Sequence, residues 1–167
     1  SKYDVGKDTK SWKISNAKSD LEENNFKIVN YNYRPFDFRY TIYTGDSSGF
    51  LGRPRGDIMQ HMVARNNIGI LLPRQSLKGF HHVFLSRKIC DINLTGSSGK
   101  YGGGLLFPLY VYPENNGQQT LEGNPNRKPN LNGEIVQDIA SSLDLTFTLE
   151  KEDREGTFAP IDLLDYI

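Results

Sequence analysis

A single cysteine, Cys90, stands in 167 residues. One thiol excludes an intrachain disulfide framework and suits a reducing compartment. No apolar run approaches the roughly twenty residues of a membrane-spanning helix. The Lys-rich start lacks the apolar centre of a secretory signal. The expectation is therefore a soluble cytoplasmic protein with no membrane partner. Histidine is scarce too: there are three, at 61, 81 and 82. Adjacent histidines on a strand would point to opposite faces, and one cysteine offers no set of thiolate ligands, so no metal site is expected. Cys90 itself, among strand-like residues, reads as a buried thiol and not a nucleophile.

Net charge is also missing, because 20 Lys and Arg balance 20 Asp and Glu. The balance conceals polarisation along the chain. Residues 33–88 carry nine basic side chains (Arg34, Arg39, Arg53, Arg55, Arg65, Arg74, Lys78, Arg87, Lys88) against Asp37, Asp46 and Asp57, a local +6. Residues 1–32 stand at +1 and 89–167 at −7. The basic stretch also holds every histidine and is interleaved with Tyr and Phe. Two readings follow: a solvated basic face, the usual fate of charges, or a surface for a polyanion, above all nucleic acid.

A chain of this length suits one domain, 1–167, that buries about two thirds of its unfolded surface without staples. Hydrophobic residues are 37% of it, and nine Phe and nine Tyr supply large core pieces. Ser1 is not a Met, and Ala159 to Ile167 opens like a helix with an early Pro and stops while still apolar. The chain thus reads as a piece excised from a longer polypeptide.

Residues 1–26 are polar, with Trp12 and Ile14 as anchors in a short strand or turn, and Ser19 with Glu22 three residues on can cap a brief helix. From Lys27 to Thr44 two strands flank a bend at Arg34-Pro35, since a residue before Pro is driven extended. Phe38, Tyr40, Ile42 and Thr44 alternate with Arg39, Thr41 and Tyr43 at the strand period. Arg53-Pro54-Arg55-Gly56-Asp57 introduces a helix with Ile58, Met59, Met62 and Val63 on one face, ended by Asn66-Asn67. Strands are expected at 68–72, 83–85, 89–94, 105–112 (an edge or bulge at Pro108) and 144–149. The Gly-rich run 96–104 matches no phosphate-loop pattern and reads as a loop, as does 113–130. Leu131, Ile135, Ile139 and Leu143 recur at helical spacing. The sum is an α+β domain: a twisted, mostly antiparallel sheet with about three helices.

Several pieces in order carry a resemblance: Tyr33-Arg34-Pro35-Phe36-Asp37-x-Arg39, Arg53-Pro54-Arg55, Met59-x-His61-Met62, Asn67-x-Gly69, Arg74-Gln75, His82-Val83-Phe84, Phe107-Pro108-Leu109-Tyr110, Lys128-Pro129-Asn130 and Asp165-Tyr166-Ile167. Together, over roughly residues 10–167, they resemble the C-terminal specificity region of type ISP restriction-modification enzymes and of related single-chain type IIG enzymes. The resemblance implies a target recognition domain for double-stranded DNA without catalysis of its own. It also implies a parent chain in which a nuclease or translocase part, with Mg as its candidate cofactor, and an N6-adenine methyltransferase domain, using S-adenosylmethionine, come before it. Within this chain no cofactor is implied. Asn124-Pro125-Asn126-Arg127 lacks the second Pro and the aromatic ring of the adenine methyltransferase turn, and Glu150-Lys151-Glu152 has the order of a Glu-x-Lys nuclease strand wrong.

DNA recognition needs phosphate contacts for register and base-edge contacts for sequence. Arg53 and Arg55, beside an expected helix start, are assigned to phosphate or groove contact. Arg74, Gln75, Lys78 and His81, on a loop that leaves a buried strand, are assigned to face DNA. Arg34, Asp37 and Arg39 are assigned to an ion pair that fixes the bend. Two other functions compete: a divergent Mg-dependent nuclease acting through Asp37, Asp46 or Asp57, and a structural domain that packs on the methyltransferase without touching DNA.

Overall fold

The computed structural model describes residues 7–10, 12–24, 26–46, 48–63, 65–75, 79, 82–96, 102–113 and 127–166. Among them are four helices and ten short strands in small, mostly antiparallel sheets, an α+β fold. The chain divides into two compact units, residues 1–107 and 108–167.

In the first unit, α1 (Ile14–Glu22) precedes a hairpin of β1 (Lys27–Arg34) and β2 (Asp37–Tyr43). Antiparallel register sets Lys27 opposite Tyr43 and Asn32 opposite Phe38. Because cross-strand partners share a face, Ile28, Asn30, Phe38 and Tyr40 point one way and Val29, Tyr31 and Tyr43 the other. The second set is the core set. Tyr43 is buried with Met62, Val63, Leu71, Ile89, Leu94 and Leu106, and Val29, Tyr31 and Met59 pack on them. β5 (Ile89–Cys90) joins β1 in parallel, Tyr31 opposite Ile89. β3 (Gly69–Pro73) lies between β4 (Phe84–Ser86) and β6 (Gly104–Pro108). Gly69 permits that closeness: a Cβ there would meet the Leu106 side chain and the Phe107 carbonyl oxygen at 3.0 Å.

Several sequence expectations are corrected here. Ser19 does not start α1; it lies in the last turn, where its hydroxyl donates to Glu23 Oε1 at 2.8 Å. Trp12 is an anchor as expected, its indole N–H donating to the Phe50 carbonyl at 2.9 Å. The helix after Pro54 is a single turn, α2 (Gly56–Met59), and its continuation to Val63 is a succession of turns. The strand expected over 89–94 ends at Cys90, because Asp91 turns the chain by accepting the Asn93 N–H at 2.8 Å.

The second unit contains β7 (Tyr110–Val111) paired antiparallel with β8 (Lys128–Pro129), α3 (Gly133–Leu143), β9 (Thr146–Phe147) parallel to β10 (Thr157–Phe158), and α4 (Pro160–Asp165). The 105–112 strand is broken after Pro108, which has no N–H for a ladder. The strand expected over 144–149 shrinks to β9, since Asp144 takes a left-handed cap (φ 53°) that closes α3. Tyr110 anchors the unit. Its ring lies 3.8 Å below the Arg127 guanidinium, which chelates Glu150, Nε to Oε1 at 2.7 Å. Its hydroxyl donates to the Leu149 carbonyl at 3.4 Å.

Candidate nucleic-acid interface

Arg53 and Arg55 are exposed on the segment that follows β2. That segment is held by the Tyr43 hydroxyl, which donates to the Pro54 carbonyl at 3.4 Å, and by close packing of Gly56 on the Gly45 carbonyl. Burial, with Asp57 and Asp46 adding to it, pushes the Tyr43 hydroxyl up to about 12, so it stays a donor. The helix start expected to favour anions at this point is present, but α2 is only one turn long. A one-turn helix sums too few peptide dipoles, and its first turn carries Asp57, whose carboxylate stands 3.8 Å from the Arg55 guanidinium. Exposure and charge are what remain to recommend these two arginines.

Arg74 and Gln75, also exposed, leave the end of β3. The Arg74 N–H donates to the Gly103 carbonyl at 2.8 Å. A Cβ on Gly102 would sit 3.2 Å from Arg74 Cβ and from Gln75 Cγ, so the backbone of 102–103 braces this exit. Lys78 and His81 lie outside the described residues. His82 is not on a strand: it precedes β4 in the left-handed region, φ 63°, so the opposite-faces argument for the histidine pair does not apply.

Three of the basic residues between 33 and 88 are matched by carboxylates. Arg39 grips Asp37 with Nε (3.2 Å) and Nη2 (2.8 Å). The guanidinium bonds hold the Asp37 carboxyl below its usual range. Arg34 does not join that pair, as the sequence suggested, but reaches across to Asp91 Oδ1 at 3.0 Å while donating to the Tyr33 carbonyl. Arg55 faces Asp57. By contrast, among the described residues no carboxylate lies within 4.0 Å of Arg53, Arg74, Arg87 or Lys88. Between residues 33 and 88 these four are described cations with no carboxylate at that distance.

The β1–β2 hairpin is the part of the surface that sequence reasoning missed. Phe36, in its turn, is 96% exposed; Tyr40 and Phe38 on the outward face are 75% and 56% exposed. One basic group, Lys88, overlies this aromatic series, whereas Arg34 and Arg39 stack on Tyr33 in the strand before the turn. The Arg34 and Arg39 guanidinium carbons stand 4.0 and 3.7 Å from the centroid of the Tyr33 ring, and Lys88 Nζ stands 4.7 Å from that of Phe38. The available signal was the alternation itself, which set Phe38 and Tyr40 on one face without saying that the other face is the core. On the Phe38 face of the hairpin, Asn32 Nδ2 donates to Ser86 Oγ at 2.6 Å, and Ser86 Oγ donates to the Lys88 carbonyl at 2.8 Å. This joint seats the turn that carries Arg87 and Lys88.

Asp37 and Asp57 face arginines, and among the described residues no three His, Cys, Asp or Glu side chains come together. Burial pushes the Cys90 thiol up, away from thiolate. His61 is pushed down, first by burial and then by Arg65. No helix among the described residues is long and apolar enough to cross a membrane.

The first unit is thus basic in sequence, with exposed arginines and an exposed aromatic hairpin that Lys88 overlies. Comparison with protein families gives a match over residues 1–167 to the Type ISP C-terminal specificity domain. No curated protein and no solved structure matches the chain. The chain therefore belongs to the family of type ISP C-terminal specificity domains, the DNA target-recognition module of a restriction enzyme.

Proposed function

We propose that the domain reads a double-stranded site and positions a target adenine for a methyltransferase domain elsewhere in its parent chain. That neighbour would use S-adenosylmethionine and take the base out of the stack. The observation that carries the reading is the division of charge. Residues 1–107 hold sixteen basic against nine acidic side chains, +7, and residues 108–167 hold four against eleven, −7. DNA is attracted to the first unit and repelled by the second, which leaves the second to face protein.

Within the first unit, Arg53, Arg87 and Lys88 suit phosphate, where charge matters and sequence does not. Arg74 and Gln75 suit base edges, because a guanidinium and an amide are the groups that grip guanine and adenine bidentately. The test is methylation by the parent polypeptide, mapped base by base. Arg74→Ala with Gln75→Ala should relax or abolish the choice of site, each lost bidentate contact removing about 1–3 kcal/mol of discrimination. Arg53→Ala, Arg87→Ala and Lys88→Ala should weaken binding alike on all duplexes. Unchanged site choice in the double variant would overturn the assignment.

A further inference from the structure

The β1–β2 turn carries a residue that folding does not explain. Pro35 and Phe36 connect the strands, and Phe36 lies in the left-handed region at φ 65°. Gly or Asn is the usual occupant of such a position, since a side chain there crowds the backbone. Phe36 adds a second cost, because its ring is 96% exposed and buries almost nothing. A strained backbone bearing a bare aromatic ring is stabilised by no contact within the fold, which points outward for its use.

Its surroundings define what it meets. The strands leading into and out of the turn carry Arg34 and Arg39, both fixed: each guanidinium stacks on Tyr33, one tied to Asp91 and the other to Asp37. Lys88, with no carboxylate partner among the described residues, lies over Phe38 on the outward face. An exposed apolar tip on a ribbon braced by those two ion pairs, with the unpaired Lys88 on its outward face, is complementary to a polyanion with an apolar interior. A protein groove would accept the ring but would not call for Lys88 on the same face.

We infer that Phe36 is a wedge that inserts between stacked bases of duplex DNA, with Lys88 beside it against the phosphates. The inference rests on the DNA-reading function proposed above and adds a mechanism to it. Apolar side chains inserted at a base step partly unstack it and kink the duplex. The domain would thereby deform the site it reads, so that flexible steps are favoured at a position where no hydrogen bond is made.

The experiment uses Phe36→Trp as a reporter and a mixed-sequence 30-base-pair duplex as the probe, with heparin as a polyanion that has no bases. The signal of Trp12 is subtracted with the unsubstituted chain. With duplex, emission from the introduced indole should fall at least about twofold and its quenching by acrylamide should drop; with heparin, neither should change. Phe36→Ala should bind duplex several-fold more weakly with the same dependence on salt, because no phosphate contact is lost. An introduced indole as open to acrylamide in the duplex complex as in the free chain overturns the wedge while leaving DNA recognition intact. Failure of the unsubstituted chain to bind duplex at any salt concentration would overturn both.

Discussion

At the scale of single residues, local hydrogen bonds hold several element ends, and their removal has defined consequences. Asn132 caps α3, its Oδ1 accepting the N–H groups of Glu134 (2.9 Å) and Ile135 (3.4 Å). Asn132→Ala should cost about 1 kcal/mol in chemical denaturation. Asp162 holds the start of α4, accepting the Ala159 N–H at 2.8 Å and the Lys151 ammonium at 2.5 Å. The Lys151 bond first, and then the backbone bond, lower its carboxyl below the usual range. A carboxyl lowered on folding stabilises above its unfolded value, near 4, and loses that contribution as pH falls through the folded value. Thermal denaturation between pH 7 and 2.5 should show this decline, and Asp162→Asn should flatten it while lowering stability at pH 7. The residue types at the interface were legible in the sequence; their partners were not. Arg39 with Asp37, two apart on one strand, could be read, whereas Arg34 with Asp91 depends on β5 lying beside β1.

At the scale of elements, the β3 strand is the support on which the readout residues stand. Leu71 is fully buried at its centre, and β3 delivers Arg74 and Gln75 at its end. Leu71→Ala should cost about 2–5 kcal/mol in denaturation, and in a protein that still folds it should weaken DNA binding through the displaced exit. Periodicity found most elements but not always their inward side. The hairpin over 27–43 and the helix near 133–143 were evident. In α3, however, the stripe of Ile135 and Leu143 is 58% and 62% exposed, and Val136 is the residue buried. Ile135-Val136 and Ile139-Ala140 are adjacent apolar pairs, and a helical period alone cannot choose between stripes one residue apart. The same limit applied to α2. Apolar spacing at 58, 59, 62 and 63 promised a helix, but the left-handed Arg55 (φ 53°) and the turns after Met59 were not encoded in that pattern. Phe36 was unreadable for a related reason: an aromatic in a turn counts as core until exposure shows otherwise.

At the scale of the whole molecule, a neutral total conceals two oppositely charged units, +7 over residues 1–107 and −7 over 108–167. Ion pairs answer Arg34, Arg39 and Arg55, whereas Arg53, Arg74, Arg87 and Lys88 have no carboxylate within 4.0 Å among the described residues. Of those four, Arg53, Arg87 and Lys88, the ones proposed for phosphate, set the expected scale of attraction to DNA. Each phosphate neutralised contributes about −0.9 to the slope of log K against log salt, so three contacts give a slope of roughly −3. The most direct measurement is that slope, from the affinity of the chain for duplex DNA between about 50 and 200 mM salt. The account predicts a slope of roughly −3 that falls to about −1 when Arg53 and Arg87 are both replaced by Ala. An affinity that does not change with salt, or a slope that the two substitutions leave intact, would contradict it.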